Sequence, residues 1–176
     1  MSKPRHKLAL LRTVLRYKPR KGHFVWLVQR QTTGRVIQPG EVAGTVGYDT
    51  PSGRCQICYD GKIYKTHQLA WAFMTGKWPP KNKDIDHEDG DGTNNKWKNL
   101  RLASRGQNNH NNHNIRSDNK SGKAGVSWSI VGKSWTARVT VDKKVIHLGY
   151  FKKDLKAAIA ARRAGELKYF GEYAPK

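Results

Sequence analysis

Asp86-His87-Glu88-Asp89-Gly90-Asp91, then Asn94-Asn95-Lys96-Trp97-Lys98-Asn99-Leu100-Arg101, then Gln107-Asn108-Asn109 is the stretch that decides the reading of this chain. A carboxylate stands directly beside an imidazole, and a run of carboxamides follows. These groups are what is needed to hold a hard divalent cation against a phosphodiester and to deprotonate a neighbouring water. A hard cation such as Mg²⁺ prefers oxygen ligands and keeps several waters, so one or two protein ligands suffice. An imidazole with a pKa near neutrality is a suitable base. Around Asp86-His87, Ile85 opens a short strand, Gly90 and Gly92 supply the turn region, and Leu100-Arg101-Leu102 form the return strand. A helix is expected from about Ser104 to His113, with Ser104 as its N-cap.

The charge distribution agrees with this placement. The 176 residues carry a formal net charge of +21. Residues 1–80 hold 14 Lys/Arg and 3 Asp/Glu, residues 81–119 hold 7 and 6, and residues 120–176 hold 13 and 4. Nearly half of the acids therefore lie in the one short stretch around Asp86-His87. A protein that merely coats nucleic acid gains nothing from acids there, whereas a metal site requires them. The excess of cations elsewhere suits nucleic acid, because Lys and Arg that neutralise phosphates release counterions.

Mean hydropathy is −0.81 and hydrophobic content 36%, so any core is modest, with six Trp and seven Tyr supplying much of it. No apolar run approaches the roughly 20 residues of a membrane span. No apolar signal region follows the basic N-terminus. A soluble, cytoplasmic protein with no membrane partner is expected. Cys55 and Cys58 form one C-x-x-C. They are expected to be reduced strand residues, since zinc needs about four ligands and His67, His110 and His113 are weak completions.

The rest of the chain divides by periodicity. Leu8, Leu11, Val14 and Leu15 lie at helical spacing within residues 6–17, which predicts a short amphipathic helix. Strands are expected over Phe24–Gln29, Val36–Val46 and Arg54–Lys65, the last folded at Asp60-Gly61. A helix follows from Thr66 to Thr75, with His67, Leu69, Ala70, Phe73 and Met74 inward, and Gly76 and Pro79-Pro80 end it. Residues 114–123 are almost without apolar side chains and read as a linker. Beyond it, Val126/Trp128/Ile130, Trp135/Ala137/Val139/Val141 and Val145/His147 alternate, giving a three-stranded antiparallel sheet. A final helix runs from Asp154 to about Phe170, with Ala157, Ala158, Ala161, Ala164 and Leu167 facing the sheet.

Asp86-His87 … Asn99-Leu100-Arg101 … Gln107-Asn108 resembles the HNH motif of phage and intron-encoded homing endonucleases, which are ββα-metal nucleases. His67-Gln68-Leu69-Ala70-Trp71 and Gly76-Lys77-Trp78-Pro79 are similar to that family as well, and the likeness spans roughly residues 10–115. It implies His87 as general base, Asp86 as first metal ligand, Asn108 as second ligand on the following helix, and Asn99 as the residue bracing the inter-strand loop. It implies one Mg²⁺ or Mn²⁺ per site, and a bacterial or phage-infected cell as the setting. Asn108 stands where many relatives carry His, and His110 and Asn112 remain alternatives for that ligand. Asp89, Asp91, Asn94 and Asn95 read as turn residues, and His67 as a packing or phosphate-facing residue.

Lys120 to Trp128, Trp135-Thr136-Ala137-Arg138, His147-Leu148-Gly149-Tyr150-Phe151 and the Ala-rich helix resemble an AP2-type DNA-binding domain over residues 120–174. That resemblance implies DNA contacts from Trp128, Trp135, Arg138 and His147, a core position being the alternative for the two tryptophans. Lys123, Arg101 and Arg105 are further candidate DNA contacts. The expected fold class is α+β. A β-rich front (1–66) and an HNH core (67–113) form the nuclease domain, the linker spans 114–123, and an AP2-like domain spans 124–176. The expected function is metal-dependent endonucleolytic cleavage of double-stranded DNA, as a nick or a double-strand break, with oligomeric state open. The rivals are a non-catalytic DNA-binding regulator with an HNH remnant, and a basic RNA-binding protein.

Overall fold

The computed structural model describes residues 7–32, 34–46, 55–110, 115 and 117–175. The chain forms two compact units, 1–104 and 105–176, and helix and sheet are mixed in both.

In the first unit, α1 (Leu8–Val14) runs directly into β1 (Leu15–Lys18). The helix expected to reach residue 17 therefore stops three residues early. Leu15 adopts extended backbone, and Leu15 and Tyr17 both turn into the core as alternate strand residues. Antiparallel pairing with β2 (His23–Trp26) fixes this, with Leu15 opposite Trp26 and Lys18 opposite His23. β3 (Arg30–Thr32) and β4 (Arg35–Ile37) pair as a small hairpin, and β5 (Val42–Ala43) adds to β2. β6 (Thr45–Val46), β7 (Cys55–Tyr59) and β8 (Lys62–Lys65) form the next antiparallel sheet. Its tight turn has positive φ at both Asp60 and Gly61, the primed geometry that matches strand twist.

α2 (Thr66–Thr75) begins and ends where the sequence predicts, with Gly76 left-handed at its C-terminal cap. Thr66, His67, Leu69, Ala70 and Ala72 are buried. Met74 is the exception to the expected inward face, being 41% exposed. β9 (Asp84–His87) and β10 (Leu100–Ala103) close the unit as an antiparallel pair, with a 3₁₀ turn, Trp97–Asn99, leading into β10. One core unites these pieces: Leu11, Leu15, Phe24, Trp26, Ile57, Leu69, Ile85 and Leu100 are all buried together. The hairpin that carries Asp86 and His87 is thus anchored through Ile85 and Leu100 to the same core as α2.

The second unit begins with α3 (Arg105–His110). Of the stretch expected to be a linker, residues 114 and 116 lie outside the described residues. Residues 119–123 are built into the unit: Asn119 and Ser121 hydrogen-bond the backbone of Lys123 and Val126. β11 (Val126–Ser129), β12 (Ser134–Val141) and β13 (Lys144–Phe151) form the three-stranded antiparallel sheet in that order. α4 (Leu155–Phe170) packs on it, capped by Asp154, whose carboxylate accepts from the Ala157 amide at 2.8 Å.

The inward face of α4 differs from the alanine stripe expected. Ala158, Gly165, Glu166 and Phe170 are buried, whereas Ala164 is exposed and Leu167 is 62% exposed. Gly165 admits Leu148, whose Cδ1 lies 2.5 Å from where a Cβ would stand. Glu166 enters the interior because two cations meet it, Arg162 Nε at 2.8 Å and Lys123 Nζ at 2.9 Å, as a buried carboxylate requires. No helix among the described residues is long and apolar enough to cross a membrane.

Candidate active site

The β9–β10 register places Leu100 opposite His87 and Arg101 opposite Asp86. β9 ends at His87. Adjacent strand residues point to opposite faces, so a strand end at this position lets Asp86 and His87 address different sides. Both are nearly inaccessible, at 4% and 6% exposure. The Asp86 carboxylate is met by Arg101, with Nε at 2.9 Å and the second nitrogen at 2.8 Å, both on Oδ2. Arg101, expected from its charge to contact DNA, here spends that charge on Asp86.

Asn99 organises the loop between the strands. Its Nδ2 donates to Asp89 Oδ1 at 2.9 Å and to the Asn94 carbonyl at 2.8 Å. Its Oδ1 accepts from the Asp89 amide at 3.2 Å, and its own carbonyl accepts from the Glu88 amide at 2.9 Å. Asp89 and Asp91 serve as turn acceptors, Asp89 for the Asp91 amide at 2.9 Å and Asp91 for the Thr93 amide at 2.8 Å. Burial alone would raise the Asp89 pKa. Donation from Asn99, Asn94 and the Asp91 amide, with the electrostatic influence of His87, outweighs burial and holds it below the ordinary carboxylate value. A depressed folded pKa stabilises above the unfolded value and is lost as pH falls through the folded one. Asp89 is therefore charged at neutral pH and braces the loop there.

Two contacts to His87 were not legible in the sequence. His87 Nε2 lies 3.1 Å from Asn95 Oδ1. His67, delivered by α2, packs edge-on against the His87 ring, with centroids 5.4 Å apart and planes at 77°. The candidate base is thus held from two sides.

Asn108 lies on α3 in the second unit and is half-buried. Arg105 on the same helix is exposed. The side chains of His110 and Asn112 lie outside the described residues. Cys55 and Cys58 are free thiols on β7, and burial, followed by the Asp91 charge, pushes the Cys55 thiol up. No group of three or more His, Cys, Asp or Glu side chains among the described residues is arranged to hold a metal ion. Hard oxygen donors such as Asp86 fit a cation that keeps most of its ligands as water, not a fully protein-ligated transition metal.

In the second unit the four expected DNA-facing residues do not share one face. Trp135 is half-buried against Val126, Ala137 and Ala158, on the helix side of the sheet. Trp128 pairs with it across the strands, ring centroids 5.3 Å apart. The alternation along β12 puts Arg138 on the opposite face, where a bulge after Ala137 brings it opposite His147. Thr136 and Tyr150 pair on that outer face, and Tyr150 stacks near-parallel on His147 at 6.2 Å. Tyr150 is a further candidate that the His147-to-Phe151 alternation, read with the bulge, would have identified. Lys123 is committed to Glu166.

Residues 64–110, from the end of β8 to the end of α3, match the family model described as HNH endonuclease. Protein 3.8 of Escherichia phage T7 is 37% identical over 83 residues, covering 47% of this chain and 67% of that protein. Residues 64–110 thus form an HNH endonuclease domain, and the chain belongs to the same family as this phage protein. No solved structure matches it. The HNH match contains every residue of the β9–β10 site, together with His67 and Asn108. An HNH domain implies a nuclease with DNA as its substrate, and nucleases of this family generally use a divalent metal.

Proposed function

We propose that the chain is a metal-dependent endonuclease of the homing type that hydrolyses phosphodiester bonds in double-stranded DNA, with His87 as general base. The observation that carries this reading is the buried pair at the end of β9: His87 held by Asn95 and His67 beside an Asp86 fixed by Arg101. His87 takes a proton from a water placed in line with the leaving O3′. Arg101 orients the Asp86 carboxylate. Asn99 holds the loop so that this geometry exists before DNA arrives, which is the kind of preorganisation catalysis needs. Asp86 would hold the divalent cation, Mg²⁺ or Mn²⁺. The motif order assigns the second ligand to Asn108. When bound, the cation would supply stabilisation of the negative charge that develops during hydrolysis.

The second unit serves as the DNA-binding, AP2-like module. Its outer sheet face offers Arg138, His147, Tyr150 and Thr136, and an exposed Arg is the side chain best suited to guanine edges or phosphates. Arg138→Ala should relax preference at one or two base pairs by about 1–3 kcal/mol each, read by competition binding across a randomised site. Uniform weakening at every sequence would instead make Arg138 a phosphate contact.

The function is tested by incubating the purified full chain with supercoiled plasmid. Nicked or linear product is expected, with ends that DNA ligase can reseal, since loss of O3′ leaves a 3′-hydroxyl and a 5′-phosphate. A chain that retards the plasmid but leaves it intact in Mg²⁺ and in Mn²⁺ would be the non-catalytic binding protein.

A further inference from the structure

We infer that Asn95 is a positioning residue that sets the tautomer of His87, and that the β1–β2 hairpin holds Asn95 in place for this. The inference rests on the reading of His87 as the base. Asn95 is 1% exposed, yet it sits in a loop. Its Nδ2 donates to the Thr93 carbonyl at 3.0 Å. This fixes which way the amide points and leaves Oδ1 facing His87 Nε2 at 3.1 Å. A carbonyl oxygen only accepts, so the proton of this bond belongs to Nε2. The neutral ring then carries its lone pair on Nδ1, and Nδ1 is where a proton can be taken up.

The loop is secured from the side of the β1–β2 hairpin. The Tyr17 hydroxyl donates to the Asn95 carbonyl at 2.5 Å in a buried contact. The Trp97 amide donates to the Pro19 carbonyl at 3.0 Å. Gly22, at φ +78°, lies so close that a Cβ there would stand 2.6 Å from the Lys96 nitrogen and 2.8 Å from the Asn95 carbonyl carbon. The turn joining β1 and β2 thus presses on residues 95–97, whose one buried side-chain amide addresses the base. A turn residue with a purely local role would need the Thr93 bond alone.

The test uses the full chain with ¹⁵N-labelled histidine. Long-range ¹H–¹⁵N spectra distinguish the two neutral tautomers, and the signal absent from His87→Ala assigns His87. The wild type should show the Nε2–H form. Asn95→Asp keeps an oxygen acceptor and should retain that tautomer with kcat within about tenfold. Asn95→Leu, of similar size but with no acceptor, should lose the tautomer preference and lower kcat on the order of 10–100-fold, the scale for residues that orient a functional His, with KM for DNA unchanged. An Nδ1–H form in the wild type would overturn the inference whether or not any variant folds. So would Asn95→Leu with the Nε2–H form or full kcat, or equal losses in Asn95→Asp and Asn95→Leu. The spectrum does not depend on cleavage, so an unimpaired His87→Ala would refute the base assignment and leave the tautomer result standing by itself.

Discussion

His87→Ala should slow DNA cleavage by a factor on the order of 10²–10⁴, the usual contribution of a general base, while DNA affinity stays nearly unchanged. The reason for the split lies in the placement of the side chain. His87 is 6% exposed and ends a strand inside the hairpin, so it adds little to the surface that meets phosphates. Most of the cations lie elsewhere: residues 1–80 and 120–176 carry 27 of the 34 Lys and Arg. Single-turnover cleavage and a gel-shift titration on the same preparation separate the two quantities. Undiminished cleavage by His87→Ala would remove the base assignment.

Asp86→Ala should abolish cleavage in Mg²⁺, through loss of the carboxylate that would ligate the cation. The substitution has a second consequence that the structure makes explicit. It takes from Arg101, with 12% side-chain exposure, the Asp86 carboxylate that it meets at 2.8 Å. Removing one partner of such a buried pair costs about 3–5 kcal/mol, which is a large part of the stability of a small domain. Asp86→Asn separates the two effects, because its amide oxygen still accepts from Arg101 while the charge that attracts the cation is gone. Asp86→Asn should remain folded by circular dichroism and still lose most of its activity. A folded Asp86→Asn with wild-type rate would mean that the cation is held without Asp86. Asn108→Asp keeps an oxygen ligand, so retained or altered cleavage is expected from it. A harmless Asn108→Ala beside an inactive His110→Ala would shift the second ligand along the helix.

Much of the fold was legible where punctuation is strong. Gly76 and Pro79-Pro80 marked the end of α2, and Asp60-Gly61 marked the hairpin of β7 and β8, since each residue type forces a backbone state. The β1 boundary was not legible because Leu11, Val14 and Leu15 satisfy helical spacing while Leu15 and Tyr17 also satisfy strand alternation. The decision comes from pairing with His23–Trp26, which is non-local. Trp135 was ambiguous for the same reason, since period-2 alternation says which residues share a face but not which face meets α4. The inward face of α4 escaped because Glu166 is charged, and only its pairing with Arg162 and Lys123 permits its burial. At the site, Asp86, His87 and Asn99 stood out by residue type and order. Asn95 did not. An Asn in a turn has an adequate local explanation, and its contact with His87 depends on a loop closed by Asn99 and pressed by the β1–β2 turn.

Whether residues 84–103 are the working centre of a metal-dependent nuclease is decided by the rate of plasmid cleavage by the full chain as metal is removed and returned. Cleavage in Mg²⁺ should cease in EDTA and resume at its original rate when excess Mg²⁺ or Mn²⁺ is restored, with His87→Ala and Asp86→Asn remaining slow throughout. Cleavage that continues undiminished in EDTA, or that both variants sustain at the wild-type rate, would contradict the account.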